Sequence, residues 1–208
     1  MIRFRFTATV LALGLTLACA FSLRADSARA EGADATAHVY FLRGFMGVFS
    51  FGLDAMAQKV RARDLQATVH HHAEWGAIAD AAVRDYRAGR TRAVLFVGHS
   101  LGAGAAIQAA EQLAAAGVPV KLIVTLDPVA RISSPRNVER MVNMYFPNGM
   151  GEPVARGENF KGSLDNIKLP ENQEFGHFSM DKVPLIQQQV LGHVFAASAP
   201  PLRRRSHH

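Results

Sequence analysis

Residues 93–106 constrain this chain more than any other stretch. Ala93-Val94-Leu95-Phe96-Val97 is an unbroken apolar, β-prone run, and a small-residue run with helical character begins at Leu101 and continues to about Ala116. Only Gly98-His99-Ser100 lies between them. A strand with no polar alternation is buried on both faces, which is the habit of a parallel sheet. A strand passing at once into a helix is half of a β-α-β crossover, so the rest of the chain has to supply further strands beside this one.

It does. His38-Val39-Tyr40-Phe41-Leu42, Ala67-Thr68-Val69-His70 and Val120-Lys121-Leu122-Ile123-Val124-Thr125-Leu126 read as strands, and Val138 to Phe146 contains another. Between them lie amphipathic, helix-prone segments near Leu53 to Arg63 and Glu74 to Arg87, and Pro184 to Ala197 reads as a closing helix. The order predicts an α/β fold: a mostly parallel sheet of about five or six strands with helices on both faces. Residues 147–173 are polar and glycine-rich without periodicity, which predicts a long surface loop and the one candidate lid. No internal repeat and no dividing linker is visible, and 208 residues suit a single domain.

The turn at 98–102 also carries chemistry. A Gly-x-Ser-x-Gly match arises by chance in roughly one chain in fifteen of this length, so its strand-to-helix context is what gives it weight. A serine hydroxyl attacks well only if it projects beyond the sheet edge on a sharp turn. Side chains at Gly98 or Gly102 would collide with the adjoining helix and strand. The helix start behind Ser100 offers the Leu101 N–H, and a positive dipole end, to a developing oxyanion. A nucleophile needs a base and the base an orienting carboxylate, in the order serine, acid, histidine on this kind of sheet. Asp127 directly follows the next apolar strand, with Asp165 and Asp181 as rivals should the long loop fold inward. Downstream histidines are His177, His193, His207 and His208. His193 falls inside the closing helix and the last two in the tail, which leaves His177. A second oxyanion donor belongs in the loop after the first strand, Arg43-Gly44-Phe45-Met46-Gly47, where the Phe45 N–H is placed for it. The apolar run Val48-Phe49-Ser50-Phe51 that follows either packs beneath the first helix or forms an acyl-binding wall.

Gly98-His99-Ser100-Leu101-Gly102 followed by Leu126-Asp127-Pro128 resembles lipases and esterases of the α/β-hydrolase superfamily. Asn137 to Asn143 and Gly176-His177-Phe178 look like small exported proteobacterial members, and the likeness spans about residues 38–196. It implies a minimal hydrolase fold without a large cap. It also implies cleavage of a small-molecule or lipid ester through an acyl-enzyme, without cofactor. Thioester hydrolysis or acyl transfer by the same residues, and a non-catalytic envelope binding protein on the same fold, are the alternatives. One departure stands out: many members carry His-Gly in the oxyanion loop where this chain has Arg43-Gly44.

The ends explain the charge. Arg3 and Arg5 precede an apolar run from Phe6 to Phe21, and Ala28-Arg29-Ala30 follows, which reads as a cleaved export signal over 1–30. The expected location is therefore periplasmic or secreted, with an uncleaved membrane anchor as the alternative. The domain then covers 31–198 and a basic tail 199–208. Without the signal the net charge drops from +6 to +3, the contribution of Arg203-Arg204-Arg205. A charge confined to a tail is no nucleic-acid footprint. It reads as a solvated end, or as a weak contact with an anionic membrane surface. Cys19 is the only cysteine, so a chain cut at Ala30 holds no disulfide, cysteine nucleophile or thiolate metal site. His70-His71-His72 reads as a polar strand end, because neighbours on a strand face opposite ways and cannot readily share a metal. His99 reads as part of the turn, and Trp75 and Tyr86 as packing residues.

Overall fold

The computed structural model describes residues 36–45, 51–170 and 176–200. The expected export signal, the Val48-Phe49-Ser50 part of the apolar run and the arginine tail lie outside these residues. Among the described residues no helix is long and apolar enough to cross a membrane.

Six strands form one sheet: β1 (Thr36–Arg43), β2 (Gln66–His71), β3 (Thr91–His99), β4 (Leu122–Leu126), β5 (Arg140–Tyr145) and β6 (Ser163–Lys168). All five pairings are parallel, in the order β2-β1-β3-β4-β5-β6. Among the described residues four α-helices cover it: α1 (Phe51–Arg61), α2 (Trp75–Arg87), α3 (Leu101–Ala115) and α4 (Pro184–Ser198). The continuously apolar strands have two faces to bury, and two cores result. Val39, Phe41, Leu95, Val97, Val124 and Leu126 pack under α1 and α4. Tyr40, Leu42, Val94, Phe96 and Ile123 pack under α2 and α3, where Trp75 and Tyr86 lie against the same core.

The long loop expected over 147–173 is a loop only in part, because Ser163–Lys168 pairs with β5 as the sixth strand. Ser163-Leu164-Asp165-Asn166-Ile167-Lys168 has only two apolar residues, Leu164 against one core and Ile167 against the other, and it has a strand on one side only. It therefore lacks the apolar run that marks the inner strands, and its charges suit an exposed edge. The crossovers on this flank are extended rather than helical. Ser133 bridges Ala155 in parallel, and Val154 and Phe160 enter the α2/α3 core where a helix would otherwise lie.

Strand order decides where a site can form. β1 and β3 are neighbours whose chains leave towards opposite faces, α1 on one and α3 on the other. Their C-terminal ends form the topological switch point of the sheet, the position where open α/β sheets bind ligands.

One core group sets an acid limit on this fold. His38, on the α2 side of β1, stacks on Tyr40 at 3.9 Å and pairs with Thr68 Oγ1 at 3.1 Å. Burial lowers its pKa to about 4, with His70 adding to the shift and Asp85 opposing it. The unfolded chain takes up this proton below about pH 6.5 and the folded one does not, so His38 costs stability as pH falls from there towards 4. Urea titrations of the parent and of His38→Gln across this window are expected to differ in slope. The parent should lose roughly 3 kcal/mol more than the variant, the full worth of such a displacement.

Candidate active site

Ser100 closes β3 and opens α3 with φ 59° and ψ −121°, a backbone conformation that non-glycine residues rarely hold. Its N–H continues the ladder to Leu126 O at 2.9 Å, and its carbonyl already accepts from Ala103. The turn is therefore fixed from both sides. Its glycines are steric necessities. A methyl group at Gly98 would lie 2.3 Å from Gly102 O, and one at Gly102 would lie 2.0 Å from Leu42 O in β1. Gly44, following β1, lies so close that a methyl there would come within 2.9 Å of Ser100 Cβ. That proximity puts the 44–45 turn beside the serine. Leu101 is the first residue of α3, where an amide has no partner within the helix.

The structure brings the three residues singled out for nucleophile, base and acid into one hydrogen-bonded chain. Ser100 Oγ lies 3.0 Å from His177 Nε2, and His177 Nδ1 lies 2.7 Å from Asp127 Oδ2. All three are buried, with Ser100 and His177 each 8% exposed and Asp127 wholly enclosed. Asp127 follows β4 with φ 48°, a second residue in the left-handed region. Its other carboxylate oxygen accepts the Phe146 N–H at 2.9 Å, and its own N–H donates to Met144 O, so β5 pins it on two sides. The 147–151 turn closes over it, since a methyl at Gly151 would lie 1.8 Å from Asp127 Oδ1.

Of the rival acids, Asp165 sits on the exposed edge strand and pairs with Arg140. Asp181 turns away to Gly52, whose N–H it accepts at 2.8 Å. Burial pushes the Asp181 carboxyl up from the ordinary carboxylate range, and the Gly52 hydrogen bond pulls against that shift. His99, read from the sequence as part of the turn, has a further place there. Its Nε2–H donates to the backbone carbonyl of His177 at 2.8 Å, tying the serine turn to the histidine loop. Burial lowers its pKa to about 4, with the neighbouring His177 adding to the shift, so it holds that carbonyl as a neutral ring at ordinary pH. Sequence alone offered no signal for this contact across 78 positions.

Arg43, the departure from the usual His-Gly, turns outward. Its guanidinium pairs with Asp54 in the first turn of α1 through Nε at 3.1 Å and through Nη2, tying the end of β1 to the start of α1. His70, His71 and His72 go to separate partners: Glu74, the Ala73 N–H and the Gly44 carbonyl. Among the described residues, the large apolar side chains left exposed are Phe45, Phe51, Leu101, Met150, Phe178 and Leu185. Three of these adjoin Gly44, Ser100 and His177 in sequence. Met150 lies between the two glycines packed near Asp127.

No curated protein matches the chain significantly. Among solved structures, a gene product of Listeria innocua is 12% identical, with a TM-score of 0.54 over 76% of this chain and 94% of that one. The type II thioesterase of the borrelidin biosynthetic cluster is 14% identical, with a TM-score of 0.50 over 77% and 92%. An acetylxylan esterase is 12% identical, with a TM-score of 0.49 over 80% and 100%. The first two likenesses, at such low identity, bear on the fold alone. The sequence itself matches the model of the alpha/beta hydrolase family over residues 12–205. With a parallel sheet, a serine on the turn after β3 and a match over nearly its whole length, the chain belongs to the alpha/beta hydrolase family.

Proposed function

We propose that this hydrolase cleaves a carboxylic ester through an acyl-enzyme on Ser100. The observation that carries the reading is the unbroken run of hydrogen bonds from Ser100 Oγ through His177 to Asp127. In the first half-reaction His177 Nε2 takes the Ser100 proton as the oxygen attacks the carbonyl. Asp127 holds the Nδ1–H tautomer and stabilises the imidazolium that forms. The tetrahedral oxyanion is received by the N–H groups of Leu101 and Phe45. His177 returns its proton to the departing alcohol, then activates the water that releases the acid.

The exposed apolar side chains next to the site residues, Phe45, Leu101 and Phe178, favour a substrate with an apolar acyl part, since covering them on binding is favourable. A thioester would suit the same groups, and one of the fold neighbours is named as a thioesterase. Matched p-nitrophenyl esters and acyl thioesters of two to twelve carbons separate the readings by their kcat/KM. The decisive test is labelling by a fluorophosphonate probe, which is expected to modify Ser100 stoichiometrically and to fail after Ser100→Ala. A folded parent that stays unlabelled would mark the fold as a binding protein rather than an enzyme.

A further inference from the structure

His177 and the 44–45 turn flank Ser100, yet they are carried by segments far apart in the chain. His177 stands in the loop between β6 and α4, and Gly44 in the one between β1 and α1. Asp181, four residues beyond His177 in a single turn of 3-10 helix, joins the two sides. Its wholly buried carboxylate accepts the N–H of Gly52, the second residue of α1, at 2.8 Å. Amides there have no partner inside the helix, and the helix dipole favours an anion. The backbones touch: a methyl at Gly52 would lie 2.0 Å from Asp181 O. That carbonyl accepts from Gln187 Nε2 of α4 at 2.9 Å, and Lys59 of α1 donates to Gln187 Oε1 at 2.8 Å. The contacts form a closed ring from α1 through the turn to α4 and back.

A side chain serving only to fill this space would be apolar. Asp181 instead buries a carboxylate whose Oδ1 has no hydrogen-bond partner among the described residues, a costly choice for stability. We infer that Asp181 is a positioning residue, which holds the His177 turn in register with α1 and so fixes the imidazole against Ser100 and the oxyanion loop. The inference rests on the acyl-enzyme reading, for which His177 has to be the base. It needs no contact between Asp181 and substrate.

The test compares the parent with Asp181→Ala, Asp181→Asn and Gln187→Ala. All are assayed on p-nitrophenyl acetate at a temperature where circular dichroism shows each one folded. Asp181→Ala is expected to lower kcat on the order of tenfold to a hundredfold with little change in KM, the size of effect that a displacement of about 1 Å in a reacting group produces. Fluorophosphonate labelling of Ser100 should slow in parallel. Asp181→Asn, which can still accept from Gly52, should recover most of the rate. Gln187→Ala should lower kcat several-fold and decides the matter if Asp181→Ala fails to fold. A purely structural role predicts a lower melting point with kcat per folded molecule unchanged, and that result overturns the inference. An inert parent overturns the acyl-enzyme reading and this role together, whereas an active parent matched by folded variants overturns this role alone.

Discussion

Replacing Ser100 by alanine is expected to lower turnover of a short p-nitrophenyl ester by roughly 10⁴- to 10⁶-fold, the loss typical when a triad nucleophile is removed. Whatever remains comes from the oxyanion donors and from holding the substrate. The fold should survive, because the Ser100 side chain contributes a single hydrogen bond, to His177, and its backbone contacts with Leu126 and Ala103 are untouched. A second substitution separates activity from stability. Position 100 holds a positive φ that costs a residue with a side chain on the order of 1–3 kcal/mol, and glycine does not bear that cost. Ser100→Gly should therefore be as inactive as Ser100→Ala and melt several degrees higher than either it or the parent. Turnover by Ser100→Ala within tenfold of the parent would place the chemistry elsewhere. A Ser100→Gly protein that melts lower would mean the turn is not strained.

Gly102→Ala is expected to do the reverse, removing the fold rather than the chemistry. The added methyl would meet the Leu42 carbonyl at 2.0 Å, and the neighbouring Arg43 carbonyl at 2.9 Å. Both are backbone atoms of β1, which is paired on both sides within the sheet, so no side chain can swing away. Relief requires the first turn of α3 to lift off the sheet, taking Ser100 with it. A loss above about 4 kcal/mol, a large share of the stability of an ordinary domain, should appear as low soluble yield and a depressed or absent thermal transition. Gly104→Ala is the control from the same helix. Nothing lies within 4 Å of a methyl there, and exchanging a mid-helix glycine for alanine should raise stability by roughly 0.5–1 kcal/mol. If the two variants behaved alike, the close approach of α3 to β1 would be refuted.

Much of this was readable in the amino-acid order because the features concerned are local. Inner strands are apolar on both faces, and the serine turn needs small residues at fixed offsets, so both leave marks within ten or twelve positions. β6 was hidden because it lies at the sheet edge, half in solvent, where nothing demands a continuous apolar run. The choice among Asp127, Asp165 and Asp181 depended on where three separate segments come to rest, which periodicity does not encode. Asp127 ends β4, beside the strand that carries Ser100, and reaches the ring, whereas Asp165 faces outward from β6 and Asp181 serves α1. The role of His99 was similarly out of reach, since its partner is a backbone carbonyl and carbonyls are the same in every residue.

The two extended crossovers beyond β4 give the molecule an unequal capacity for change. On the β1–β3 side any added length would have to preserve helices seated in two cores. On the other flank the chain is held without a helix, by the Val120–Val138 and Ser133–Ala155 bridges, by hydrogen bonds such as those between Asn166 and the Val154 backbone, and by the Val154 and Phe160 side chains. Each doubling of a flexible connection costs only about 0.6 kcal/mol in closure entropy. New segments could thus be spliced into that flank, away from the 147–151 turn that packs on Asp127, while the nucleophile turn stays intact. Diversification of what such a scaffold accepts would begin there.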